Sequence, residues 1–154
     1  MDANQLLMGG GVPSAKFTVP GDYVSGVITA EPEAVQQRDY VTGEPLTWED
    51  GTPRMQIKVI LDTGEIDPMI EDDDGCRAVY LKRNLLNAVR AAVRKAGAGK
   101  AGLKPGGHLT ITYTANGELV KRGFNPPKLY SAVYEPPAVQ LNIRTEENDS
   151  QVSF

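Results

Sequence analysis

The alternation of side chains between residues 54 and 63 constrains the fold of this chain more than any other feature. Apolar residues occupy every second position of this run: Met55, Ile57, Val59 and Leu61. Residues two apart in a strand lie on one face of a sheet, so the run predicts a strand with one buried face. Weaker patterns predict further strands at Asp22–Glu31, Ala34–Thr42, Arg77–Lys82, His108–Thr114, Leu119–Val120 and Leu129–Tyr134. We expect Ala34–Thr42 to pair with the strand that precedes it.

One helix is predicted between these strands. From Arg83 to Ala96 the apolar residues repeat with helical spacing: Leu85, Val89, Ala92, Val93 and Ala96. Gly97 follows where a left-handed cap is wanted, which ends the helix. Further on, Asn116-Gly117 is typical of a β-hairpin turn.

The order of these segments predicts a mainly β protein with an OB-fold. This fold is a five-stranded Greek-key barrel, and here its helix is expected between the third and fourth strands. Other small barrels share much of this order. We expect a flexible N-terminal segment at 1–20, the barrel domain at 21–137 and a disordered acidic C-terminal tail at 138–154.

Charge is unevenly distributed along the chain. The formal net charge is −4, yet residues 77–128 contain eleven Lys or Arg and one acid, Glu118, and so carry +10. A concentrated basic segment can bind phosphate despite an acidic total, because the local field decides. The sequence therefore permits a nucleic acid as partner.

Aromatic side chains stand beside cations at several points. Single-stranded nucleic acid is bound by cations that follow the phosphates and by rings on which bases stack, each stack being worth about 1–3 kcal/mol. The candidate DNA-binding residues are Trp48, Arg54, Tyr80, Lys82, Arg83, Lys121, Arg122, Phe124, Lys128 and Tyr130.

Several of these side chains have an alternative role in packing. Alternating strand patterns favour core packing for three tyrosines: Tyr113, Tyr130 and Tyr134. Trp48 stands in a polar loop, where stacking on a base and anchoring the loop to the barrel are equally expected. Arg90 and Arg94 lie on the polar face of the predicted helix, which favours a solvated surface.

The last nine residues form an acidic, polar tail that ends in an aromatic residue. Such a segment buries too little apolar surface to fold alone, and it can offer a ring and a carboxylate to a partner's basic pocket. Asp149 and Phe154 are the candidate partner-binding residues. The alternative is an ordinary frayed terminus.

Several short motifs resemble one protein family. They are Leu6-Leu7-Met8-Gly9-Gly10-Gly11, Pro13-Ser14-Ala15-Lys16-Phe17, Thr42-Gly43-Glu44-Pro45, Trp48, Asp50-Gly51-Thr52-Pro53 and Gly123-Phe124-Asn125-Pro126-Pro127-Lys128. Over most of residues 6–137 the chain resembles single-stranded DNA-binding proteins of phages that infect actinobacteria. The resemblance implies an OB-fold, a role in phage DNA replication and recombination, and work in the cytoplasm of the bacterial host.

The tail is similar to the acidic C-terminal tip of bacterial single-stranded DNA-binding proteins, which recruits repair and replication partners. It departs from that tip because Ser153, and not a proline, precedes the final residue, and only three acids are present. The resemblance implies recruitment of replication or recombination proteins through this tail. Independently of it, the sequence is compatible with a homo-oligomer and does not give the oligomeric state.

Catalytic interpretations find little support. One histidine, His108, and one cysteine, Cys76, cannot build a zinc site of the usual kind. The run 72–75 lacks the first and last carboxylates of a calcium loop, so we expect a solvated loop. The glycines at 97–102 match a dinucleotide motif but follow a helix instead of a strand. We expect no enzyme, cofactor or metal; the rival interpretations are a small-barrel protein adaptor and, more remotely, a metal-dependent nuclease using the acids at 65–74.

The sequence also bears on location. No apolar run approaches the roughly 18 residues that a membrane-spanning helix needs, and the N-terminus lacks the pattern of a signal peptide. A single cysteine agrees with a reducing compartment. We expect an intracellular protein without a membrane partner.

Overall fold

The computed structural model describes residues 12–118 and 125–138. Within these ranges the chain forms six strands and one helix. In chain order they are β1 (Tyr23–Ile28), β2 (Glu33–Gln36), β3 (Met55–Asp62), β4 (Cys76–Leu81), α1 (Arg83–Lys95), β5 (His108–Asn116) and β6 (Lys128–Glu135). The predicted mainly β fold with one helix is confirmed, and α1 lies where the periodicity placed it.

The strands form one antiparallel sheet in the order β2-β3-β1-β5-β6, and β4 pairs with β3. The described residues contain six strands, whereas the predicted OB-fold barrel has five. Among the described residues no ladder joins β4 to β6, so the sheet is not closed into a barrel. The predicted partner of Ala34–Thr42 is wrong, because β2 pairs with β3 and not with β1.

β1 and β2 both pair with β3, and a short interruption in the chain separates them. Ile28 lies opposite Leu61, and Glu33 lies opposite Lys58. The chain advances five residues from Ile28 to Glu33 while β3 advances three residues between their partners, Lys58 and Leu61. Two extra residues therefore lie between β1 and β2. Pro32 lies within this interruption, where its missing N–H cannot weaken a ladder.

The core lies between the inward face of the sheet and α1. Every second residue of the central strands points inward, and Val59 and Leu61 of β3 are fully buried. The helix contributes the side chains that its spacing predicted: Leu85, Val89, Ala92 and Val93. Gly97 ends the helix with a φ of 76°, as expected for a left-handed cap.

Residues 13–17, which we call the edge segment, lie beside the free edge of β4. Ala15 N–H donates to the Ala78 carbonyl over 2.9 Å, and Ala78 N–H donates to the Pro13 carbonyl over 2.8 Å. The Phe17 ring packs edge-on against Tyr130 of β6 with centroids 5.4 Å apart. The described part of the expected flexible N-terminus is thus held between β4 and β6.

The turn predicted at Asn116-Gly117 is wrong in position, although β5 and β6 pair antiparallel as the strands of a hairpin do. Asn116 is still paired within β5, opposite Lys128, and Gly117 N–H donates to the Pro127 carbonyl over 2.7 Å. The chain therefore turns beyond Gly117. The strand predicted at Leu119–Val120 falls outside the described residues.

Candidate nucleic-acid interface

One face of β2, β3 and β4 points away from the core, and we call it the outer face. Lys58 of β3 lies between Glu33 of β2 and Tyr80 of β4 in the paired register. Gln56 lies two residues before Lys58 and so shares its face. A ring and a cation are thereby neighbours on adjacent strands.

The loop between β2 and β3 is an ordered double turn. Backbone hydrogen bonds join residues 37, 46 and 54 to one another. Leu46 N–H donates to the Gln37 carbonyl (2.8 Å), Arg54 N–H to the Leu46 carbonyl (3.0 Å) and Gln37 N–H to the Arg54 carbonyl (2.7 Å). The side-chain amide of Gln37 is buried and donates to the Met55 carbonyl over 3.0 Å. These contacts fix the loop to the start of β3.

The second turn of this loop, residues 47–53, presents Trp48, and we call it the Trp48 turn. Trp48 N–H donates to the Thr52 carbonyl over 2.8 Å. The Asp50 carboxylate accepts hydrogen bonds from the Thr52 hydroxyl (2.7 Å) and N–H (3.0 Å), which lower the pKa of Asp50 below its ordinary value. Gly51 has a φ of 89°, which favours glycine.

Trp48 and Arg54 contact one another directly. The guanidinium carbon of Arg54 lies 4.4 Å from the Trp48 ring centroid, a cation–π contact. Trp48 is nevertheless 54% exposed. The contact with Arg54 attaches the Trp48 ring to the start of β3, as expected of a loop anchor. The exposed part of Trp48 leaves room for a base to stack, so both expectations for this residue stay open.

Tyr80, Lys82 and Arg83 lie at the end of β4. Tyr80 is 36% exposed on the outer face. Lys82 has extended backbone angles, with φ −149° and ψ 156°, so the alternation continues and its side chain emerges on the same side as Tyr80. Arg83 begins α1 with a φ of 51° and is exposed.

Lys128 and Tyr130 contact protein groups at the other edge of the sheet. The Lys128 ammonium donates to the Phe17 carbonyl and lies 5.2 Å from the Tyr113 ring centroid. Tyr130 packs between Phe17 and Tyr113, and its partial burial raises its pKa. The packing expected of Tyr113 and Tyr134 is confirmed, since both are buried. These contacts connect the edge segment to β5 and β6.

The described cations of the basic segment 77–128 lie in different parts of the fold. Arg77 forms two hydrogen bonds of 2.8 Å with the Asp73 carboxylate, which neutralises it. Arg90 and Arg94 are exposed on α1, as expected, and Arg90 donates to Asn87 over 3.1 Å. Among the described cations of this segment, Lys82 and Arg83 lie nearest in sequence to the outer face.

The prediction of a solvated loop at 72–75 is wrong for Asp73. Its side chain is inaccessible to solvent. Besides Arg77, it accepts hydrogen bonds from the N–H groups of Asp67 (2.7 Å) and Gly75 (3.0 Å). These four bonds organise the loop between β3 and β4.

Five predicted site residues fall outside the described ranges: Lys121, Arg122, Phe124, Asp149 and Phe154. The described ranges contain no cluster of three or more His, Cys, Asp or Glu that could hold a metal ion. In the same ranges no helix has the length and apolar character needed to cross a membrane.

Sequence reasoning missed two residues of the outer face, Gln56 and Lys58. The signal that finds them is the alternation itself, because Arg54, Gln56 and Lys58 follow one another at every second position. An argument that names Arg54 as a site residue therefore extends to the other two.

Comparisons with protein-family models, curated proteins and solved structures find no match for this chain. The functional interpretation of the outer face accordingly rests on its geometry and on the sequence motifs.

Proposed function

We propose that this chain is a non-enzymatic OB-fold protein that binds and coats single-stranded DNA without strong sequence preference. The sequence resemblance supports a setting in phage DNA replication, recombination and repair inside a bacterial host. Binding needs no cofactor in this proposal, since cations and rings supply it.

The strand pairing supports the OB-fold. In that fold oligonucleotides lie on the face of strands 2 and 3 and against the loops 1–2 and 4–5. Here β1 with β2 takes the place of the first strand, β3 and β4 follow, and α1 comes before the fourth strand, β5. The Trp48 turn then belongs to loop 1–2, and the connection from β5 to β6 corresponds to loop 4–5.

The observation that carries the proposal is the common placement of rings and cations at β3 and β4. Lys58 and Tyr80 are register neighbours on the outer face. Arg54 stands immediately before β3 on the course of the same alternation, and its guanidinium contacts the Trp48 ring. Sequence-tolerant binding of a single strand requires this combination of stacking surfaces and phosphate-contacting cations.

Binding to a labelled thymine oligonucleotide tests the proposal. The logarithm of affinity should fall with the logarithm of salt concentration, with a slope of about −0.7 for each phosphate contacted. Duplex DNA should bind much less well, because its bases are not free to stack. Equal affinity for both forms would contradict stacking, and no binding to either would favour the protein-adaptor interpretation.

Three alanine variants and two alanine controls assign the surface. Trp48→Ala and Tyr80→Ala should each weaken binding by about 1–3 kcal/mol. Tyr23→Ala is the aromatic control, since Tyr23 is 61% exposed but lies on β1 beside β5. Lys82→Ala should reduce the magnitude of the salt slope by about 0.7, whereas Lys100→Ala, in the linker after α1, should leave it unchanged.

The C-terminal tail extends the proposal to protein partners. Its acids can compete with DNA for the cations of the domain because the tether keeps them at high local concentration. Phe154 and Asp149 are proposed to bind replication or recombination proteins. A chain ending at Arg144 should bind oligonucleotides more tightly at low salt and lose those partners; identical behaviour of both chains would contradict this role.

A further inference from the structure

Two buried polar atoms at the start of β3 lack a hydrogen-bond partner among the described residues. They are Nε of Arg54 and Oε1 of Gln56. The two residues are separated by one position and so lie on one side of the strand. Buried polar groups are almost always paired, because an unpaired one loses its hydration without compensation. An unpaired donor and an unpaired acceptor on one side of the strand favour a ligand that supplies both partners.

We propose that Arg54 and Gln56 form a base-edge site beneath the Trp48 turn, in which a nucleobase and not a phosphate is bound. The proposal rests on the proposed single-strand binding and adds which part of the nucleotide this site takes. Arg54 Nε–H donates to a ring or carbonyl acceptor of the base, and Gln56 Oε1 accepts from a base N–H. The stacking surface is the Trp48 ring, which already covers the guanidinium at 4.4 Å.

The pairing requirement selects a base over a phosphate. A phosphodiester has only acceptor oxygens, so it could satisfy Arg54 but would leave Gln56 unpaired. Every nucleobase carries at least one donor and one acceptor along a single edge, and thymine offers its N3–H beside a carbonyl oxygen. The site therefore discriminates base from backbone while remaining tolerant of sequence.

The Trp48 turn is the part that must move to admit the base. Thr47 and Pro53 form a bridge at its base, so displacement is confined to the few residues around Trp48. The turn is exposed from Thr47 to Pro53. Displacing the ring from part of the guanidinium opens the site, and the base enters beside the guanidinium in its plane, where Nε–H donates to the base edge and the Trp48 ring stacks on the base.

The variant Arg54→Lys separates the two possible partners of Arg54. It keeps the positive charge but loses Nε–H and the planar guanidinium. We expect its affinity for a thymine oligonucleotide to fall about tenfold with an unchanged salt slope. On an abasic deoxyribose-phosphate chain of the same length, Arg54→Lys and the unaltered protein should bind equally. Ser131→Ala, on the exposed outer side of β6, is the control for both probes.

Gln56→Leu tests the acceptor independently. It should also weaken thymine-oligonucleotide binding about tenfold and leave abasic binding unchanged. Its unfolding midpoint should not fall, because the substitution removes a buried unpaired atom; this shows that the loss of binding is not a loss of folding.

Three outcomes overturn the base-edge site while single-strand binding stands. They are full thymine affinity in Arg54→Lys, full thymine affinity in Gln56→Leu, and equal losses on the thymine and abasic probes, the last of which assigns Arg54 to phosphate. Failure of the unaltered protein to bind any single strand overturns the proposed function itself.

Discussion

Arg83 has a backbone conformation that arginine rarely adopts. Its φ of 51° lies in the left-handed region, which costs roughly 1–2 kcal/mol for a residue with an ordinary side chain. Strain of this size persists where the surrounding structure enforces it, and it is concentrated at functional sites. Here the strained residue joins β4 directly to α1 and places a cation at the end of the outer face.

The strain at Arg83 predicts opposite changes in stability and binding. Asparagine tolerates this region better than arginine, so Arg83→Asn should raise the unfolding free energy by up to about 1 kcal/mol. Loss of the charge should reduce the magnitude of the salt slope of DNA binding by about 0.7. Urea denaturation and oligonucleotide titration measure the two effects.

Arg83→Gln is the matched control for Arg83→Asn, since it removes the same charge from the same left-handed position but glutamine relieves no strain there. A lower unfolding free energy in Arg83→Asn would show that the arginine side chain stabilises the start of α1.

Asp73 makes the stability of the loop between β3 and β4 depend on pH. The Arg77 guanidinium, followed by the N–H of Asp67, holds the pKa of Asp73 well below its ordinary value of 3.8. A carboxyl group with a depressed folded pKa stabilises the fold above its unfolded pKa, and that contribution is lost as the pH falls through the folded pKa.

Asp73→Asn should therefore lower the thermal midpoint at neutral pH and flatten the decline below about pH 3.8. Melting curves from about pH 2 to pH 7 provide the measurement. Asp72→Asn is the control, because Asp72 is exposed and asparagine accepts its φ of 57°. Parallel curves for the natural chain and Asp73→Asn would assign the acid sensitivity to other carboxylates.

The strands show which parts of the fold the sequence determines locally. β3 and β4 were predicted to within one or two residues, because each buries one face and alternation reports that burial. The partner of β2 was not predictable in this way, since pairing depends on the two extra residues around Pro32 and on the path of β3. The predicted position of the turn at Asn116-Gly117 was wrong because both residues still pair with the strand segment at 127–128.

Some residues of the candidate site could likewise be predicted from local sequence, and others could not. Trp48, Arg54 and Tyr80 follow from local chemistry, and alternation extends the surface to Lys58. The surroundings of Lys128 and Tyr130 depend on Phe17, which is more than a hundred residues away in sequence. No local pattern carries such a contact.

Gly26 lies where β1 passes from its ladder with β5 to its ladder with β3. It pairs with Leu109, and the next residue, Val27, lies opposite Asp62. A Cβ at Gly26 would lie 2.4 Å from the Asp62 carbonyl oxygen. The missing side chain is therefore what allows β3 to approach β1 at this point.

Gly26→Ala should lower the unfolding free energy by about 1–3 kcal/mol, since backbone atoms must move to admit the methyl group. Gly99→Ala provides the control because a Cβ there meets nothing within 4 Å. Chemical denaturation of both variants measures the difference. Equal stability of the two would mean that β1 and β3 separate at little cost.

The edge segment decides how the two ends of the sheet are connected. β4 and β6 carry edges that no strand ladder joins among the described residues. Residues 13–17 lie between them, with backbone bonds to Ala78 on one side and the Phe17 contacts with Tyr130 and Lys128 on the other. The segment thus bridges the edges of β4 and β6, and its contact with Ala78 lies two residues from Tyr80 along β4.

Phe17→Ala tests this connection. Phe17 is partly buried, so its loss should lower the unfolding free energy by about 1–2 kcal/mol. The amide hydrogens of Ala15 and Ala78 should exchange faster, because the ring no longer holds the edge segment against β4. Val19→Ala is the control, since Val19 is 55% exposed and its truncation should leave both measurements unchanged. If exchange at Ala78 is as slow in Phe17→Ala as in the natural chain, the backbone bonds alone hold the segment, and the aromatic contact with β6 does not connect the two edges.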